Sequence, residues 1–210
     1  DQMSRTKAIG KKVGLLRHWS LCIIMVAVAW LICALRNAPF TGLFSGPLSL
    51  ALQGWVAVGL SLGAGINSWV SHQLFARSSI SQHMIESYSR LDLRGWNPVL
   101  IALAAGIGEE ILFRGVLQPL TGIGVSSVLF VLAHTRAYRF NTLDRRVMLQ
   151  AIGILAVSLV LGGVAHYAGL LPAIVLHTAI DIGGLLTVRH YAACLRLRNP
   201  VEAALLHGEA

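Results

Sequence analysis

Uncharged apolar runs alternate along this chain with short polar segments rich in arginine. Residues 19–35 and 48–70 contain no charged side chain, and Trp19 and Trp30 sit near the two ends of the first run. A third run opens at Asn97-Pro98, where proline suits a first helical turn. It extends to about Leu117, and Pro119 and Gly122 mark its end. A fourth covers residues 124–134 and a fifth residues 147–166. Gly169 and Pro172 open a sixth, which closes near Val188. A helix that crosses a bilayer needs about 20 mostly apolar residues. The pattern predicts an all-α protein, a polytopic transmembrane helical bundle of about six spans.

Composition strengthens that reading. The chain is 55% hydrophobic and 12% charged, whereas soluble domains are about 25% charged. Mean hydropathy is +0.68. Its 210 residues allow one bundle and little else, and no internal repeat is visible.

Charge sets the orientation. With the N-terminus in the cytoplasm, all but two of the 17 basic residues fall in cytoplasmic segments, Arg36 and Arg114 being the exceptions. The positive-inside rule then places both termini inside. Three regions follow: a basic cytoplasmic segment at 1–18, a transmembrane domain at 19–188 whose core at about 97–188 holds the candidate chemistry described below, and a cytoplasmic tail at 189–210. The net charge of +8 does not point to nucleic acid, because the basic residues flank apolar runs and form no aromatic-interleaved stripe. The polar connection at 71–96 suits a surface helix at the membrane interface.

Two smaller features change little. Cys22, Cys33 and Cys194 show no C-x-x-C spacing and read as small buried apolar residues. The start Asp1-Gln2-Met3 suggests a trimmed or engineered terminus near Met3, and no cleavable signal peptide is evident.

Candidate chemistry lies inside the spans. Glu109 and Glu110 sit in the third run, and an ionised group at bilayer depth costs roughly 2.5 to 3.5 kcal/mol. Glu110 and Arg114 are four apart and share a helix face, while Glu109 points about 100° away. Adjacent carboxylates in different environments can divide into structural and catalytic roles. The alternative is a buried ion pair that only fixes packing. Ala104, Ala105, Gly106 and Gly108 read as a close-packing surface for another helix. Phe130 and His134 share one face, and so do His177 and Asp181. His166, beside Tyr167 at a span end, reads as interfacial.

A glutamate and a histidine can share a water and activate it, and a second histidine can stabilise an oxyanion. The same residue types could instead hold zinc with an open position for water. These two chemistries stay open on residue types alone. The zincin motif H-E-x-x-H and the G-x-S-x-G elbow are absent. Gly106-Ile107-Gly108-Glu109 approaches the G-x-G-D of membrane aspartyl proteases, without a matching second aspartate motif.

Three motifs in order, E-E-x-x-x-R (Glu109, Glu110, Arg114), F-x-x-x-H (Phe130, His134) and H-x-x-x-D (His177, Asp181), resemble the CPBP family. This family comprises CAAX prenyl endopeptidases and bacteriocin-processing or self-immunity membrane proteins, also called Abi. The resemblance covers about residues 99–186. It implies an intramembrane glutamic endopeptidase whose Glu109 is general base with His134. His177 and Asp181 would form the oxyanion side, and Glu110 and Arg114 would organise the site. No cofactor is implied by the glutamate-and-water mechanism, although metal dependence, as by zinc, has been proposed for the family. Eukaryotic-type members carry asparagine where this chain has Asp181, and an ionised aspartate cannot donate to an oxyanion.

The short six-span chain resembles the bacterial branch. That implies an integral protein of the bacterial cytoplasmic membrane acting on a membrane-anchored peptide or protein, with a prenylated substrate the less expected option. Two rival readings remain: a non-catalytic bacteriocin-immunity or scaffold protein of the same fold, and a proton-coupled or metal transporter.

Overall fold

The structure, a computed structural model, describes residues 14–75, 91–135 and 145–198. Most of the basic N-terminal segment, the greater part of the 71–96 connection, Arg136 and Arg139, and the end of the tail lie outside the described residues.

Among the described residues the regular structure is helical. Helix α1 (Leu15–Leu35) is followed by a short 3-10 turn at Phe40–Phe44 and by α2 (Leu50–Phe75). Helix α3 (Asn97–Glu110) has Pro98 in its first turn and continues as a π-helical stretch, Ile111–Leu117. Then come α4 (Gln118–Ala133), α5 (Arg145–Tyr167) and α6 (Leu170–Arg198). Among the described residues, five helical stretches are long and apolar enough to cross a membrane: Leu15–Leu35, Leu50–Ser68, Asn97–Ala133, Val147–Tyr167 and Leu170–His190.

The expected third and fourth spans fall within one of these stretches, yet the chain does not run straight through it. Gly122 has φ 82° and ψ 165°, a region essentially closed to residues with a Cβ. Beyond it the chain folds back on itself. Ser126 Oγ donates to the Phe113 carbonyl at 2.8 Å. The rings of Phe113 and Phe130 meet edge to face at 5.2 Å. The third and fourth runs are therefore the arms of a helical hairpin. The returning arm, residues 123–133, rises only about 16 Å, roughly half of a bilayer core. Where about six spans are expected, the described residues hold five long helical stretches, one of them bent back into a half-length arm.

Helix α3 is central, packed between α1 and α6. Its small residues make that possible. A Cβ on Gly108 would lie 2.9 Å from the Cys22 Cα and 2.7 Å from the Met25 Cε of α1. On the other side, a Cβ on Gly106 would collide with Thr178 Oγ1 and stand 3.2 Å from the Ile174 carbonyl of α6. Packing is thus the use of this small-residue stretch, as expected. Ala29, Cys33, Ile111, Val116, Leu170 and Ile174 form a core between the three helices. Both described cysteine side chains, Cys22 and Cys33, are buried free thiols.

The outer surface is the reverse of a soluble protein's. Ile23, Trp30, Leu31, Leu62, Ile66, Ile152 and Val160 are all exposed. A contiguous apolar exterior on long helices belongs against lipid. The chain is an integral membrane protein.

Candidate active site

All six candidate site residues converge on one locus formed by α3, its π-helical continuation, the end of α4, and α6. Burial divides them into two layers. Glu110 is fully buried, the Arg114 side chain is 1% exposed and that of His177 7%. Glu109, His134 and Asp181 are more open, with side chains 17%, 19% and 32% exposed.

The inner layer is a chain of polar contacts. Arg114 Nη1 lies 3.1 Å from Glu110 Oε1. The same Oε1 accepts from His177 Nδ1 at 2.7 Å. Arg114 Nη2 donates to Ser158 Oγ at 2.9 Å and to the Ser158 carbonyl at 3.2 Å. Its guanidinium carbon stands 4.4 Å from the centre of the Phe130 ring, a cation–π contact in a desolvated setting. The π-helical turn that carries Arg114 is a rare geometry, found often at functional sites.

The outer layer converges on Glu109. Its Oε2 is 3.5 Å from His134 Nε2 and 3.9 Å from His177 Nε2. His177 Nε2 is also 3.6 Å from Asp181 Oδ2. Each imidazole is held through its other nitrogen. His134 Nδ1 is 2.8 Å from the Phe130 carbonyl, and His177 Nδ1 is on Glu110. A carbonyl or carboxylate on Nδ1 assigns the proton there, so both Nε2 atoms face the Glu109 carboxylate. Phe130 backs both rings, at 4.4 Å from His134 and 6.0 Å from His177.

Three features were not legible beforehand. The tie between His177 and Glu110 spans 67 positions of sequence. Phe130, readable only as core or as a motif letter, supports three site side chains at once. Ser158 belongs to no motif; its one signal was a hydroxyl inside an apolar run, in S-x-x-x-G spacing with Gly162. Conversely, His166 lies outside the site, exposed and edge-on to Tyr167 at 4.7 Å.

Among the described residues, no group of three or more histidine, cysteine, aspartate and glutamate side chains is disposed to hold one metal ion. Glu110 is already engaged by Arg114 and His177.

A buried ionic layer beneath two histidines and two carboxylates, inside a helical membrane bundle, defines a class of intramembrane acid–base site. Comparison with known proteins makes the class more particular. Residues 93–183 match the family described as type II CAAX prenyl endopeptidase Rce1-like. That segment contains all three motifs and is similar to this CAAX protease family. No curated protein and no solved structure matches the chain.

Proposed function

We propose that this protein is an intramembrane endopeptidase that hydrolyses a peptide bond by water held between Glu109 and His134. The observation that carries the reading is the 3.5 Å gap between Glu109 Oε2 and His134 Nε2. That is too long for a strong direct hydrogen bond and suits a water touching both. Geometry and residue type together match a general base beside a water-orienting imidazole.

The reaction follows from these positions. Glu109 takes a proton from the water as its oxygen bonds to the scissile carbonyl carbon. The tetrahedral oxyanion is met by His177 Nε2–H of the doubly protonated ring, whose charge is balanced by Glu110 at Nδ1 and Asp181 beside Nε2. The C–N bond then breaks, and the proton on Glu109 passes to the leaving amine. Asp181 thus acts through His177 and need not donate a hydrogen bond itself. No step is routed through a metal.

The substrate in this reading is a membrane-anchored peptide or protein. The setting is the bacterial cytoplasmic membrane, with the termini on the cytoplasmic side where the arginines concentrate. The hairpin at Gly122 supports that topology, because it turns the chain back toward the face from which α3 began.

The test compares membrane and released peptides from cells carrying wild type, Glu109→Ala, Glu109→Gln or His134→Ala. Peptides that appear with wild type and fall at least ~100-fold with the variants are the expected result. Undiminished cleavage with Glu109→Ala and His134→Ala overturns the reading. A Glu109→Gln variant that restores the cellular phenotype without cleavage would favour the scaffold or immunity reading instead.

A further inference from the structure

We infer that Ser158 of α5 is a positioning residue for this site, acting through Arg114 and Glu110 on His177. The inference rests on the endopeptidase reading for its consequence, and on geometry for its existence. Helix α5 contributes no motif residue, yet Ser158 is fully buried and faces the site's only described guanidinium.

The path has three links. Ser158 accepts twice from Arg114 Nη2, through Oγ at 2.9 Å and through its carbonyl at 3.2 Å. Those contacts hold one arm of the guanidinium fork on α5 while the other arm, Nη1, stands 3.1 Å from Glu110 Oε1 as an ion pair outside hydrogen-bond geometry. That Oε1 accepts the His177 Nδ1 proton at 2.7 Å. Among the described residues Glu110 Oε2 has no hydrogen-bond partner, so Nδ1 of His177 is held by a single carboxylate oxygen. A guanidinium is planar, and fixing one arm fixes the direction of the other. The Phe130 ring beneath it restrains tilt but not rotation within its plane. The Ser158 hydroxyl supplies that missing restraint.

The consequence is chemical rather than only mechanical. His177 Nε2 serves the oxyanion when Nδ1 is saturated by Glu110. If Arg114 rotates, Glu110 Oε1 shifts, and the Nδ1 hydrogen bond weakens with it. Hydrogen bonds to charged groups are worth enough that losing the hydroxyl should lower the resulting order roughly 10-fold.

The experiment reads His177 in the full chain in lipid nanodiscs, labelled with nitrogen-15 histidine. A proton shared at 2.7 Å between Nδ1 and a buried carboxylate gives a downfield, slowly exchanging signal, assigned by its loss in His177→Gln. Ser158→Ala and Ser158→Val are expected to speed its exchange about 10-fold. Ser158→Thr, which has the shape of valine with a hydroxyl, should keep the wild-type rate. Absence of the signal in wild type overturns the inference. So does an unchanged rate in folded Ser158→Ala and Ser158→Val, or a threonine variant as fast as the valine one. Because no substrate is present, the relay and the endopeptidase reading fail separately. A normal Ser158 dependence without Glu109-dependent cleavage removes the enzyme and keeps the relay.

Discussion

Replacing Arg114 by methionine isolates the buried ion pair beneath the site. The Arg114 and Glu110 side chains are 1% and 0% exposed, with Nη1 and Oε1 at 3.1 Å. Charge centres about 4 Å apart attract by about 4 kcal/mol at an effective dielectric of 20. Solvent screening is minimal at this burial, so little discount applies. Arg114→Met leaves Glu110 with only His177, and breaking a buried pair from one side costs roughly 3 to 5 kcal/mol. Removing both charges, as Glu110→Leu with Arg114→Met, leaves neither partner of the pair unmatched, while His177 keeps the Glu109 and Asp181 carboxylates beside Nε2. It should return stability to within about 1 kcal/mol of wild type. Activity should not return, because His177 has lost its Nδ1 acceptor. The assay is reversible denaturant unfolding in mixed micelles for both single variants and the double variant, followed by the cleavage comparison. The reasoning fails if Arg114→Met costs less than about 1 kcal/mol, or if the double variant is no more stable than the worse single one.

Three further outcomes follow from the geometry. Gly122→Ala has open space around the new Cβ but imposes φ 82°, so strain alone should cost about 1 to 3 kcal/mol in the same unfolding assay. Asp181→Asn and Asp181→Ala should both lower the single-turnover rate about 10-fold, because each removes the carboxylate charge 3.6 Å from His177 Nε2. Chelators should leave Glu109-dependent cleavage unchanged in purified protein; loss on chelation with recovery on zinc addition would return the chemistry to a metal.

Much of the fold was legible because a bilayer imposes coarse rules. Long uncharged runs must be helices when no water is available to satisfy the backbone. The small-residue stretch before Glu109 read correctly as a packing surface, since only small side chains let α1 and α6 approach α3 so closely. Run length misled at 124–134. Apolar character there matches a span, but the positive φ at Gly122 and the half-length return arm depend on backbone geometry that hydropathy does not encode.

The site divides in the same way. Spacing of four on a helix was sufficient to pair Glu110 with Arg114 and to stack His177 over Asp181, because helical geometry alone sets those neighbours. The sequence by itself thus determined a membrane-embedded helical protein, its charge asymmetry, and the six side chains worth watching. Only the tertiary structure decided how the helices face one another. It tied His177 to Glu110, aimed both imidazole Nε2 atoms at Glu109, set Phe130 under Arg114 and brought in Ser158 from a helix with no motif. Those contacts join residues tens of positions apart, and local periodicity carries no information about which face of one helix meets which face of another.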